Sequence, residues 1–528
     1  MSPDEGALAL GISTLEDDAS WTAPYPLHAI DPDGEYVPLS RSRYSDGEIT
    51  PYPSRPAYVI LNMVLVRIGG AWGPVAVGTL GVAATALLVG LTTRIIDPRS
   101  AIPALWLCGV GTPLLFYGFV LQGHSLGTTA VAGVGYLVAR SSQQRWRARL
   151  APAAAVALLI GTSTLIRRET VFVAAGLAVW SLWRARQRES RSELLLGAGA
   201  TIGALVGTAA ERLIMNSAFG TLDAPNVPVL GRGPGLITGR VLATRESLLL
   251  PSFDDLVVLN TAALIGLVLV LVGAALLRER GQPWLLVTGL AAVSGAALLR
   301  LLISPDVIPI IPGLLLTTPA LIAGLFLVPV SAAKHRASSA LATTSVVIAL
   351  AVLATQYGAD WTWGGRFFSI LLPPVAVLSA LGWTHTVRRL PPNAARVATT
   401  AACGSVLALA VVALSVQYEA RATVQELVET IASEADDDTI IATTLIWLPR
   451  FDTEQLDAPG YAWAWTRRAE LPNLLELIDQ RSEADRVLLV DERGHGVPSY
   501  VGRSDWTIAD PVPLPTIRPR LEMWVLQR

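Results

Sequence analysis

Of the 528 residues, 52% are hydrophobic and only 16% charged, with a mean hydropathy of +0.49 and a formal net charge of −2. A soluble globular protein usually carries about 25% charged residues, whereas here apolar runs of about 18 residues or more, each long enough to cross a bilayer, recur through the middle of the chain. The composition points to an all-α polytopic membrane protein and excludes a cytosolic enzyme, a disulfide-stapled secreted module and a nucleic-acid binder.

In chain order, residues 1–72 are polar, rich in Pro, Tyr and Asp, and show no spanning segment. Residues 73–417 are almost continuously apolar and read as a transmembrane bundle of twelve spans, near 73–95, 102–120, 124–140, 150–166, 169–184, 193–214, 255–277, 283–303, 308–330, 338–356, 366–385 and 396–417. Cys108 and Cys403 lie inside apolar runs, where a free thiol behaves as a small hydrophobe and no disulfide framework is implied. The glycines scattered through the spans suit close helix packing. Residues 418–528 turn polar again. Thr439–Thr443, Arg486–Val490 and Leu521–Leu526 read as short strands, and Leu471–Ile478 has helical spacing, which predicts a small α/β domain outside the membrane.

Positive charge in short loops stays cytoplasmic, and one alternating set of turns collects 17 basic residues, from Arg94 and Arg99 through Arg140, Arg184 and Arg278 to Lys334 and Arg388. The opposite set is poor in basic residues at most of its turns, with Arg167 and Arg168 as the conspicuous pair. The second set and both polar ends are therefore expected on the extracytoplasmic side of a prokaryotic plasma membrane.

The outward N-terminal segment holds ten acidic residues against four basic ones, together with Trp21, Tyr25, Tyr36, Tyr44, Tyr52 and Tyr58. A charge run of this kind is most often a solvated loop. Aromatic, proline-rich loops beside a membrane tend to fold onto it, and an acidic aromatic surface offers a carboxylate base and a stacking platform for a sugar. Arginine suits phosphate because it binds bidentately and stays charged; lipid-headgroup contact or an ion pair is the alternative for each one.

The order of several short motifs resembles GT-C glycosyltransferases, multispanning enzymes that take sugars from polyprenyl-phosphate donors and include protein O-mannosyltransferase and aminoarabinose-transferase relatives. Asp4-Glu5-Gly6-Ala7 with Gly11–Leu15, then Tyr52-Pro53-Ser54-Arg55-Pro56-Ala57-Tyr58, is similar to the family's first outer loop. Thr112–Leu126 resembles its short second outer loop, Arg167-Arg168-Glu169 an element at the outer mouth, and Trp361–Pro374 the Gly-Arg-aromatic start of a late helix. The resemblance implies inverting transfer to a glycan, lipid or protein acceptor, with Asp4 as general base and Glu5 assisting or binding a divalent metal (Mg or Mn). It implies Arg55, Arg168 and Arg366 on the donor phosphate, with Glu169, His124, Tyr52 and Tyr58 as accessory residues.

Two departures stand out. Many relatives carry an acid in the second outer loop, where this chain has Gln122-Gly123-His124, which puts a metal-dependent mechanism in doubt. In the family the Asp-Glu pair follows a first spanning helix, so Met1 is expected to be an internal start with an apolar segment upstream. Two other classes stand beside the enzyme: a transporter or flippase of lipid-linked glycans, and a non-catalytic membrane assembly protein with the same fold. A transporter would place charged or helix-breaking residues at mid-span, whereas the ionisable residues here cluster at span ends; an assembly protein would be indifferent to neutralising Asp4.

Overall fold

The computed structural model describes residues 3–39, 42–142, 150–187, 193–220, 241, 244–245, 247–249, 256–303, 311, 313–329, 335–355, 364–445, 447–452, 460–482, 484–493, 506–515 and 521–528. The chain is a helical membrane bundle carrying a small sheet-containing unit at its C-terminal end.

The N-terminal segment is more helical than its composition suggests. Helix α1 (Pro3–Asp17) is followed by a three-stranded antiparallel sheet, β1 (Ala23–Pro24), β2 (Arg43–Ser45) and β3 (Glu48–Thr50), and then by α2 (Pro56–Gly69). The signal for α1 is the run Ala7–Leu15, which lays Leu8 and Ile12 against Tyr58 and Val59 of α2. The acidic loop between them is organised by a buried carboxylate: Asp31 accepts from the Tyr25 hydroxyl at 2.9 Å and from the amides of Glu35 and Tyr36. Part of the acidic surface is therefore structural.

Among the described residues, seven helices are long and apolar enough to cross a membrane: Trp72–Ile96 (α3), Leu194–Phe219, Val257–Arg280, Trp284–Ile303, Arg336–Thr355, Arg366–Val387 and Pro392–Ser433. Of the other expected spans, His124–Ser141, Leu150–Ile166 and Val171–Arg186 form single helices. Two do not. The run expected as one span over 102–120 breaks into Ala101–Gly109 (α4) and Leu114–Tyr117 (α5), because Gly109, Gly111 and Pro113 interrupt it. The run near 308–330 holds Leu314–Thr317 and Pro319–Phe326, with residues 304–310 and 312 outside the described set.

We number the remaining helices α6 (His124–Ser141), α7 (Leu150–Ile166), α8 (Val171–Arg186), α9 (Leu194–Phe219), α10 (Val257–Arg280) and α11 (Trp284–Ile303). Lipid offers no hydrophobic drive for helices to associate, so close packing of small residues has to supply it. In α9, Gly199, Gly203 and Gly207 face α7 so closely that a Cβ would sit 2.4, 2.2 and 2.5 Å from the carbonyl oxygens of Ala153, Ala157 and Gly161. Gly273 of α10 and Gly289 of α11 allow the same approach between that pair.

The two ends of the bundle differ in charge. At one, arginines of the basic turns find acids: Arg184 and Arg336 meet Glu193 at 3.2 and 3.7 Å, and Arg388 meets Asp97 at 3.7 Å. The loops holding residues 143–149 and 188–192, and Lys334, lie outside the described residues. At the other end sit the N-terminal sheet, the turn between α7 and α8, and the C-terminal unit.

The last bundle helix (Pro392–Ser433) continues unbroken for 42 residues, well past position 417. Val424, Leu427 and Ile431 are buried on one of its faces beyond the apolar part, and Arg421 donates to the Phe119 carbonyl at 2.9 Å. A sheet follows, in the order β5-β4-β6-β9-β7, with β8 also on β9. Its strands are β4 (Ile440–Thr443), β5 (Ala462–Trp465), β6 (Arg486–Glu492), β7 (Thr507–Ile508), β8 (Val512–Pro513) and β9 (Leu521–Gln527). β4 pairs in parallel with β5 and β6, and β6 pairs antiparallel with β9, Leu489 opposite Trp524. The helix Leu471–Arg481 falls where helical spacing predicts it, while β5 has no counterpart in the sequence reading. The N-terminal loop docks here: the Trp465 amide donates to the Tyr36 carbonyl at 3.0 Å, and Arg481 to that of Ile30 at 3.2 Å.

Candidate active site

Asp4 and Glu5 lie in the first turn of α1, where the helix dipole favours a carboxylate. The Asp4 side chain lies outside the described residues. Glu5 is buried, and its Oε1 accepts the Leu121 amide of the loop between Tyr117 and His124 at 2.6 Å. Next to it Gly6 presses on the C-terminal unit: a Cβ there would stand 1.4 Å from the Arg450 carbonyl oxygen. The first turn of α1 is thus wedged between two fixed backbones.

Arg55 precedes Pro56, the first residue of α2, and adopts a left-handed conformation (φ 52°, ψ 54°). Proline disfavours the right-handed helical region for the residue before it, and a non-glycine residue held in left-handed space costs about 1–2 kcal/mol. Strain of this kind persists where the surroundings over-determine a side chain's position. One Nη of Arg55 lies 3.9 Å from Glu169 Oε1. Tyr52 and Tyr58, expected as accessory residues, belong to the apolar cluster between α1 and α2: Tyr58 is buried and Tyr52 packs beside it.

Helix α7 ends at Ile166. Arg167 is extended (φ −141°, ψ 102°), and Arg168–Thr170 make one turn of 3₁₀ helix before α8. The extended residue sends adjacent side chains to opposite sides. Arg168, expected on the phosphate, turns away to Glu211 of α9 at 2.5 Å and is more than half exposed. Arg167 goes inward, is buried, and sets its Nε 3.3 Å from Glu169 Oε2. Sequence reading names Arg167 in the Arg167-Arg168-Glu169 element but puts Arg168, not Arg167, on the phosphate, although the spacing of two from Glu169 is the signal an extended segment would give.

Glu169 is buried. Burial by itself would raise its carboxyl, but Arg167, then Arg55 and Arg366, outweigh that and hold it at about 2. Burial lowers the Arg167 guanidinium to about 10, so it stays charged at neutral pH.

Arg366 follows Gly364 and Gly365, both at positive φ (66° and 63°), and opens the turn Arg366–Leu371. A Cβ on Gly364 would meet Pro113 Cγ at 2.1 Å, so only glycine lets this turn approach the α4–α5 break. The guanidinium carbon of Arg366 lies 4.7 Å from the Phe367 ring centroid. Trp361–Trp363, the head of the Trp361–Pro374 motif, lie outside the described residues.

His124, at the start of α6, is buried at the centre of the group. Its Nε2 lies 3.1 Å from Arg167 Nη1 and 2.5 Å from Gln122 Oε1, its Nδ1 lies 3.3 Å from Ser369 Oγ, and its ring stacks on Tyr117 at 4.6 Å between centroids. The structure therefore gathers Arg55, His124, Arg167, Glu169 and Arg366 and leaves Arg168 outside. Three guanidinium groups from three separate segments bear on one carboxylate. Such a set fits an anion far better than Mg or Mn, and among the described residues no three His, Cys, Asp or Glu side chains come together as a metal site.

No family model and no curated protein sequence matches the chain. Among solved structures, ArnT from Cupriavidus metallidurans in the apo state is similar over 99% of this chain and 93% of that one, with a TM-score of 0.50 and 11% identity. The same protein bound to undecaprenyl phosphate covers 99% and 94%, with a TM-score of 0.49 and 13% identity. The fold of the apo protein is the fold of this chain, nearly from end to end.

Proposed function

We propose that this chain, which shares the ArnT fold, is a membrane glycosyltransferase of GT-C type. It moves a sugar from a polyprenyl-phosphate donor to a glycan, lipid or protein acceptor. The observation that carries the reading is the convergence of Arg55, Arg167 and Arg366 on Glu169, beside the loop that anchors Glu5. Negative charge grows on the phosphate as it leaves the anomeric carbon, and pre-positioned guanidinium donors stabilise such charge without reorganising. Glu169 keeps the three cations at fixed distances before the donor arrives.

The acceptor oxygen attacks the anomeric carbon from the opposite face as the bond from that carbon to the phosphate oxygen breaks. The hydroxyl proton passes to Asp4, the general base, and the configuration inverts. Glu5, pinned to Leu121, orients the turn that carries Asp4. The first loop and C-terminal unit lie on the extracytoplasmic side, as supported by the 17 basic residues of the opposite turns. The donor then enters laterally from the outer leaflet.

The test is sugar release from a panel of radiolabelled polyprenyl-phosphate sugars by the purified full-length protein in detergent. Release from at least one donor, in step with appearance of free polyprenyl phosphate, is expected. A folded protein that releases sugar from none of them would refute the reading.

A further inference from the structure

The second outer loop has Gln122-Gly123-His124 where the resemblance leads one to expect an acid. The hydrogen bonds of His124 say what the replacement does. Arginine only donates, so the Nε2 that faces Arg167 Nη1 at 3.1 Å carries the lone pair. The ring proton then sits on Nδ1 and is donated to Ser369 Oγ at 3.3 Å. Gln122 approaches the same Nε2 at 2.5 Å, which requires its amide to present NH2 rather than oxygen, an exchange of near-identical atoms. Tyr117 covers the ring face, with planes 27° apart. One neutral imidazole thus ties together α5, the second loop, the α7–α8 turn and the turn that begins at Arg366.

Arg167 is 2% exposed; its Nε faces Glu169 Oε2 at 3.3 Å as an ion pair, and its Nη2 finds no hydrogen-bond acceptor among the described residues. A buried donor left unmet costs about 1–3 kcal/mol, and a phosphate oxygen would satisfy Nη2. A carboxylate at position 124 would also hold Arg167, but it would neutralise the guanidinium and compete with the phosphate for it. A neutral acceptor holds the group and leaves its charge available.

We infer that His124 is a positioning residue for donor binding: it fixes the guanidinium plane of Arg167 while leaving that charge for the phosphate. This rests on the transferase reading above. The probe is polyprenyl phosphate itself, whose binding to the full-length protein needs no transfer. Its affinity is measured for the parent, His124→Gln, His124→Phe and His124→Glu, with thermal unfolding of each in the absence of ligand. His124→Phe keeps the ring stack but loses the acceptor, and should bind about ten- to a hundredfold more weakly. His124→Gln keeps an acceptor and should bind within about threefold of the parent, while His124→Glu should bind at least as weakly as the Phe variant. Affinity kept in the Gln variant and lost in the Phe variant, at like melting temperatures, is a pattern that general loss of structure would not produce. Parent-like affinity in His124→Glu overturns the inference, as does equal weakening in the Gln and Phe variants; if the Phe variant fails to fold, the Gln and Glu pair decides. A parent that binds no polyprenyl phosphate sinks the transferase reading and this one together. A parent that binds, with all variants equal to it, sinks this one alone.

Discussion

Gly6→Ala is the smallest change that should disable the site without touching a charged group. The added Cβ would lie 1.4 Å from the Arg450 carbonyl oxygen and 2.5 Å from its carbon. Ordinary carbon–oxygen contacts begin near about 3.3 Å, so the two backbones must separate by about 2 Å. Neither is a flexible side-chain tip: one is the first turn of α1, the other the short turn Pro449–Phe451. If α1 moves, the 2.6 Å bond from the Leu121 amide to Glu5 breaks and Asp4 moves with it. A misplacement of about 1 Å can cost a hundredfold in rate, so turnover should fall by about a hundredfold or more, equivalent to about 2.7 kcal/mol in the barrier. Donor KM should change much less, because Arg55, Arg167 and Arg366 sit on other segments. The assay is sugar transfer at saturating donor, with thermal unfolding to confirm a folded protein. Gly404→Ala is the control, since nothing lies within 4 Å of a Cβ there. Parent-like turnover in Gly6→Ala would mean that the contact between α1 and the C-terminal unit does not set the position of the base.

Arg55→Ala should raise donor KM by about ten- to a hundredfold, the loss of a charge-assisted contact, whereas Arg168→Ala should leave it near the parent value; steady-state kinetics with equal effects in both would put the phosphate elsewhere. Asp4→Asn should keep expression and folding but lower turnover by about two to four orders of magnitude, and equal turnover would remove Asp4 from the mechanism. Glu169 is held at about 2 against an ordinary 4.5, so its contribution to stability is present above pH 4.5 and lost as pH falls toward 2. The melting temperature of the parent should drop between pH 5 and pH 3 by more than that of Glu169→Gln, and matching drops would count against a depressed carboxyl. A reporter active only in an oxidising compartment should work when fused after Arg528 and fail after Arg191; the reverse result would invert the topology.

The spans were legible because apolar runs of bilayer length have few other uses, and Val257–Arg280 and Trp284–Ile303 come out close to where hydropathy puts them. Hydropathy alone could not see the break at Gly109–Pro113, since the residues on either side are equally apolar. In the C-terminal unit β4, β6 and β9 are aliphatic runs that declare themselves; β5 is a four-residue segment, Ala-Trp-Ala-Trp, with no branched aliphatic residue. The site was half legible. Residue types pointed to Arg55, Glu169 and Arg366, but the choice between Arg167 and Arg168 turns on one backbone dihedral and on Glu211, 43 residues away. His124 looked isolated in the sequence because its partner Ser369 lies 245 residues on.

The helix Pro392–Ser433 runs 42 residues without interruption. At 1.5 Å per residue it is about 63 Å long, roughly twice the thickness of the hydrocarbon core. A flexible tether could be lengthened freely, but a continuous helix couples height to heading. Each residue inserted near Tyr418 would lift the C-terminal unit by about 1.5 Å and swing it by about 100°, carrying Arg450 off the face of α1. Heading is nearly restored only at insertions of about seven or eleven residues, by which point the unit stands more than 10 Å too high. The gap between bilayer and C-terminal unit is therefore indexed like the teeth of a gear, and drift in the length of this helix is closed to the chain unless α1 and the second outer loop change with it.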